Sequence, residues 1–180
     1  FAGLYPGISF DFDLTPRRVD LVTEPFDVAI RMGESENSQL IARPLASLTP
    51  YLYASPGYLE RSGQPDEPAD LERHDCMSVM KGSSWTLRHG GQTHTVPVSS
   101  RFSINSVGMI RRLATLDMGI ILMPPEIVAD ELSTGALQRI MPAWQGSPMP
   151  VYAMTETRLL PAKTQRFLEF LRQRLSKDSR

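Results

Sequence analysis

An α/β fold is predicted for this chain by three features of its hydrophobic pattern. Short apolar stretches alternate with stretches at helical spacing along most of the length. One apolar run, Gly119-Ile120-Ile121-Leu122-Met123, is unbroken by polar residues and stopped by Pro124-Pro125. That is the pattern of a parallel strand buried on both faces. The third feature is a strand, helix and strand read within residues 8–33, the spacing of a right-handed crossover that leaves two strands parallel.

Within that unit, Ile8, Phe10, Phe12 and Leu14 alternate with polar residues, predicting a half-exposed strand. Thr15 and Pro16 then start a helical turn over 18–23. Residues 26–30 predict the second strand, broken by Gly33. A longer strand region over 40–54 is punctuated by Pro44 and Pro50, and Ser55-Pro56-Gly57 opens a helix over 56–61. Another helical turn is expected over 68–73. Residues 85–89 and 93–98 flank Gly90-Gly91, predicting a hairpin. Asn105-Ser106 form a helix-capping pair, after which Val107, Ile110, Leu113 and Ala114 recur at helical spacing. Residues 126–132 predict a helix ended by Gly135, and 151–154 a further strand. A last helix follows Pro161 and buries Phe167, Leu168, Leu171 and Leu175, with a frayed tail over 176–180.

The 180 residues correspond to one domain or two small lobes at about 150 residues per domain. Lys and Arg number 19 against 20 Asp and Glu, a net charge of −1. This is far from the basic balance of a domain that grips a phosphate backbone by itself. A single cysteine excludes an internal disulfide framework and a cysteine-rich zinc site. No apolar run approaches the roughly 18 residues of a membrane span. Residues 1–7 lack the basic start and long apolar stretch of a secretory signal, so the cytosol is the expected compartment.

Catalytic signatures are weak. Ser78-Val79-Met80-Lys81 matches the S-x-x-K pattern of serine acyl enzymes, without the S-D-N and K-T-G companions. His74 and Cys76, or His89 and His94 across the hairpin turn, lack further ligands at metal spacing. Asp11 and Asp13 alternate onto one strand face, the habit of a solvated surface more than of an acid–base pair. No enzyme activity, metal or cofactor is expected. Binding fares better, because ligands of open α/β sheets sit beyond the carboxyl ends of parallel strands. Those ends carry Thr15, Arg31-Met32-Gly33, Asn105-Ser106 and Met123-Pro124. Arg31 is a fixed-charge donor suited to a carboxylate, or equally a surface ion-pair residue. Asn105 and Ser106 stand at a helix start that favours an anion, or serve simply as a cap.

Phe26-Asp27-Val28-Ala29-Ile30-Arg31-Met32-Gly33 resembles a strand of LysR-type transcriptional regulators, in the subgroup that closes it on R-x-G. Tyr53-Ala54-Ser55-Pro56-Gly57-Tyr58-Leu59 and Asp70-Leu71-Glu72-Arg73-His74-Asp75-Cys76 resemble the next blocks. Gly119-Ile120-Ile121-Leu122-Met123-Pro124, then Leu160-Pro161-Ala162-Lys163 through Phe167-Leu168-Glu169-Phe170-Leu171, complete the series in family order.

The resemblance implies an effector-sensing regulatory domain with the type 2 periplasmic-binding-protein fold, two Rossmann-like lobes joined by two crossover strands around a cleft. By that analogy lobe I is 1–46 plus 156–180 and lobe II is 47–155. Thr15, Arg31, Met32, Ser55, Asn105, Ser106 and Met123 fall where the family lines its cleft, and a small carboxylate is the expected effector. The resemblance further implies a homodimer or tetramer, with the helix over 107–117 as a contact. DNA would be bound only through an N-terminal winged helix-turn-helix outside these residues, and the first lobe is expected to lack its opening strand. A solute-binding module of the same fold is the alternative. With so few phosphate contacts on offer, the isolated chain is expected to give no sequence-specific retention of operator DNA in a low-salt gel shift. Specific retention would overturn this.

Overall fold

The computed structural model describes residues 1–14, 24, 26–33, 40–79 and 83–177, with the side chains of 176 and 177 excepted. Its strands are β1 (Ala29–Met32), β2 (Ile41–Leu48), β3 (Tyr51–Ala54), β4 (Cys76–Met77), β5 (Ser84–His89), β6 (Gln92–Pro97), β7 (Ile120–Met123), β8 (Gln138–Arg139), β9 (Gln145–Gly146) and β10 (Met149–Thr155). Its α-helices are α1 (Pro56–Ser62), α2 (Val107–Ala114), α3 (Ala129–Ser133) and α4 (Ala162–Lys177), with short 3₁₀ turns at Pro68–Arg73 and Pro125–Ile127. The chain forms two compact units, Phe1–Leu48 with Met149–Arg180, and Thr49–Pro148. β10 therefore groups with the first unit rather than the second, because it pairs along its length with β2 and β1.

In the first unit the sheet order is β1-β10-β2, all antiparallel. β2 shows Ile41, Arg43 and Leu45 on one face, and the α4 side chain Leu168 packs with Leu45, Val151 and Ala153. Phe167, Leu171 and Leu175 extend that contact along α4, the helical spacing that the apolar pattern foretold. Pro44 sits within β2, tolerated because β2 is an edge strand among the described residues and itself bulges next to the proline, where Leu45 is the extra residue between the pairs Tyr152–Pro44 and Val151–Ala46.

Two expectations fail here. Residues 8–14 form no strand, and β1 is paired antiparallel with β10 instead of lying parallel to them. Alternation supplied an apolar face, but no ladder partner accompanies it among the described residues. Phe12 and Leu14 stay exposed, while Phe10 stacks on Phe12 and packs on Phe167, and Phe1 packs on Phe167 and Phe170. Aromatic contacts with α4 thus take the place of a sheet. The turn expected over 18–23 lies outside the described residues. At the other end, α4 continues through Lys177, past the start of the expected fraying.

The second unit carries the sheet β4-β7-β3-β8 and the smaller sheet β6-β5-β9. β7 is parallel to β4 and antiparallel to β3. Its apolar run is explained by burial on both faces. Ile120 packs with Leu52, Ala54, Leu71 and Leu87, whereas Ile121 and Met123 pack with Tyr53, Met77, Ile110 and Ala114. Each such side chain contributes roughly 1.5–3 kcal/mol by leaving water. The hairpin turns at Gly90 and Gly91, both at positive φ (56° and 84°), the conformation a two-residue turn demands.

Just before β4 and β7 the chain runs close at Gly119, and Ile120 donates its N–H to the Asp75 carbonyl at 2.8 Å. Gly119 has φ 151°, and a side chain there would collide with that same carbonyl oxygen. Gly119→Ala is expected to lower unfolding free energy in urea by at least about 2 kcal/mol. Wild-type stability for this variant would refute the close approach.

Candidate functional site

In the first unit β1 positions Arg31. The strand alternates, so Arg31 is half-buried and shares a face with Ala29, while Ile30 and Met32 project to the opposite face and are about half exposed (46% and 47%). Gly33 ends the strand at φ 90° and donates its N–H to the Pro150 carbonyl at 2.9 Å. Only a residue at ease with positive φ can make that turn, which accounts for the glycine two places after Arg31. Thr15 lies outside the described residues.

In the second unit Ser106 caps α2. Its backbone is extended (φ −119°, ψ 117°), and its Oγ accepts the Met109 N–H at 3.3 Å. Asn105 and Ser106 are both exposed. Five residues join α2 to β7, so the helix ends where β7 begins and its first turn lies toward the end where β7 finishes. The Arg111 bonds agree, with Nη1 donating to the Ile127 carbonyl at 2.9 Å and Nε 3.2 Å from Glu131. Met123 is buried, packed in the core beneath α2, and followed by buried Pro124. The structure thus brings Asn105, Ser106 and Met123 to one end of this sheet.

Ser55 is at the other end. β3 runs against β7, with Tyr51 opposite Met123 and Tyr53 opposite Ile121, so the residue after Ala54 reaches the start of β7. Ser55 is buried there as the cap of α1, accepting the Tyr58 N–H at 3.4 Å. Nearby, Arg61 Nη2 donates to the Asp117 carbonyl at 2.6 Å.

Sequence reasoning missed three neighbours of Met123. Tyr51 is its cross-strand partner, and the Arg139 guanidinium stacks over the Tyr51 ring at 3.7 Å. Glu126 follows on the 3₁₀ turn with one buried carboxylate oxygen that has no hydrogen bond among the described residues. Its charge is felt by Tyr53. Burial pushes the Tyr53 hydroxyl up to about 12, against the lowering pull of Arg139, with Tyr51 and Glu126 adding to the rise. The only signal in the sequence was an aromatic residue flanking Pro50, which does not point to a site.

Residues 1–176 match the family described as the LysR substrate binding domain. The chain belongs to the LysR substrate binding domain family. That family is one of transcriptional regulators rather than enzymes. The HTH-type transcriptional activator AaeR of Escherichia coli K12 is 34% identical over 89% of this chain and 53% of its own length. The HTH-type transcriptional regulator DmlR of the same strain is 32% identical over 96% of this chain and 57% of its own. The chain thus spans about half the length of these curated relatives. The CrgA regulatory domain, from Neisseria meningitidis, matches with a TM-score of 0.83 and 25% identity, over 97% of this chain and 87% of its own. Full-length AphB of Vibrio cholerae matches with a TM-score of 0.79 and 26% identity, over 96% and 60%. No described helix of this LysR domain is long and apolar enough to cross a membrane.

Of the residues weighed above for metal binding, Cys76 is built into the core of the second unit and His74 is half-buried beside it. His74 Nδ1 and the Tyr58 hydroxyl lie 3.0 Å apart, and that hydroxyl accepts the Asp75 N–H at 3.0 Å. Cys76 is buried, with Sγ 3.6 Å from the Leu71 carbonyl. Burial lowers the His74 pKa below its ordinary value and pushes the Cys76 thiol up to about 12.

These groups make stability depend on pH at both extremes. The neutral His74 is favoured in the folded chain, so its contribution is present above the ordinary imidazole range and fades as the unfolded chain takes up a proton below about pH 6.5. Cys76 and Tyr53 favour their protonated forms when folded. Their contributions are complete below about pH 9 and are lost as pH rises toward 12. Urea midpoints are expected to fall on both sides of a neutral plateau, and His74→Gln should flatten the acid limb. An unchanged acid limb in that variant would refute the His74 contribution.

Proposed function

We propose that this chain is the effector-sensing domain of a bacterial LysR-type transcriptional regulator acting in the cytoplasm, and that its effector is a small carboxylate. The family match over residues 1–176 carries the regulatory reading. On this reading the two compact units are the two regulatory lobes, with boundaries at 48/49 and 148/149 in place of 46/47 and 155/156. DNA is bound by a winged helix-turn-helix elsewhere in the longer protein, and copies associate through surfaces that include α2. The exposed Val107, Met109 and Leu116 give α2 and its following turn an apolar surface suited to that contact.

Each unit offers one group able to hold a carboxylate. Arg31 is permanently charged and presents a planar fork that matches a carboxylate. The first turn of α2 offers backbone N–H groups and the positive end of the helix dipole beside the exposed Asn105 and Ser106. Met123 contributes apolar lining, whereas Met32 lies on the strand face opposite Arg31 and is left out of the set. Ser55 is left out of the set because it caps α1 at the far end of its sheet. A ligand that binds one conformation of the regulator better than another shifts the population toward it, which is what a switch needs.

Calorimetric titration of the full-length regulator against small acids and neutral aromatics tests the reading. A carboxylate is expected to bind, and Arg31→Ala should cost about 2 kcal/mol or more. Asn105→Ala should cost less. Unchanged affinity in a folded Arg31→Ala protein would make Arg31 a surface ion-pair residue and end the assignment.

A further inference from the structure

We propose that the first unit carries a second anion-binding site, formed by Arg43, Arg158 and Arg172 on the side of the sheet covered by α4, and that it takes a small carboxylate with a short apolar body. These arginines line a cavity of about 300 Å³ whose apolar wall is Leu160 and the buried Leu168. That volume lies at the lower end of the range of small-molecule sites, roughly 300–1,000 Å³.

Arg43 is held in place by the chain at the end of β10 and just after it. Its Nε donates to Thr155 Oγ1 at 3.4 Å, and its Nη2 donates to the carbonyls of Thr157 and Arg158 at 3.4 and 3.0 Å. Nη1 has no partner among the described residues, nor have the guanidiniums of Arg158 and Arg172. The one acid of the lining, Glu169, is already engaged. Its Oε2 accepts from Arg166 at 3.1 Å and its Oε1 from Gln165 at 3.2 Å. Three guanidiniums against one neutralised carboxylate leave a cationic concavity beside aliphatic side chains. A planar anion satisfies the unused N–H donors bidentately while its apolar body covers the leucines.

This site is separate from Arg31. Directly paired residues share a face of an antiparallel sheet, and the register places Ile30, Ala153 and Arg43 across one face. Arg31, Tyr152 and Pro44 lie across the other. Arg31 and Arg43 therefore serve opposite sides of the same three strands.

The test is an NMR titration of the 180-residue chain and its Arg31→Ala variant with hexanoate, its neutral isostere hexanamide, and sulfate, following the methyl resonances of Leu160 and Leu168. Hexanoate is expected to shift both residues saturably and alike in the two proteins, hexanamide to shift neither, and sulfate to bind more weakly than hexanoate. Replacing both exposed arginines (Arg158→Gln with Arg172→Gln) should weaken hexanoate at least about tenfold. Arg172→Glu alone should also weaken it. The proposal is overturned by the absence of saturable shifts, by hexanamide matching hexanoate, by sulfate matching it, or by unaltered binding in the arginine variants.

Discussion

The first unit depends on β10 filling the slot between β1 and β2. Without it the two earlier strands have no neighbour in their sheet, and α4 has only part of an apolar face to cover. The strand supplies Val151 and Ala153 to that face, and its register with β2 fixes which side Arg43 occupies. Since Arg43 and Thr155 are 112 residues apart in sequence, this unit cannot complete its sheet until the whole of residues 49–148 has been made. The second unit has no such debt to distant sequence and can assemble from contiguous chain.

The second unit was the more legible for the same reason. The unbroken run at β7 is apolar because both faces are covered, and α2 declared itself through Ser106 and the spacing of Ile110, Leu113 and Ala114. Local pattern and tertiary position agree there. Residues 8–14 had a strand pattern without a partner among the described residues, and single-chain periodicity carries no information about pairing. Direction of pairing was equally invisible. A parallel pair was read between residues 8–14 and 26–30, whereas β1 pairs antiparallel with β10 and 8–14 form no strand.

The site shows the same division. Gly33 at the end of β1 and Ser106 at the start of α2 are legible because turn and cap chemistry is local. Ser55 is also a cap, and only the family resemblance put it among the cleft residues. Only the antiparallel register of β3 reveals that it stands at the far end of the sheet. Tyr51, Glu126 and Arg139 meet near Met123 through strand neighbours that no spacing links. Strand alternation, by contrast, could have separated Met32 from Arg31 at once, since adjacent residues of a strand face opposite ways.

Pro44 has a consequence for how this protein behaves at high concentration. An edge strand offers unpaired backbone donors and acceptors, a template on which foreign strands can add. Among the described residues β2 is one edge of its sheet, and a proline beside a bulge interrupts its row of backbone donors, which makes this margin a poor seed for intermolecular growth. The other margin of the described sheet, β1, carries no proline, so its row of backbone donors is uninterrupted.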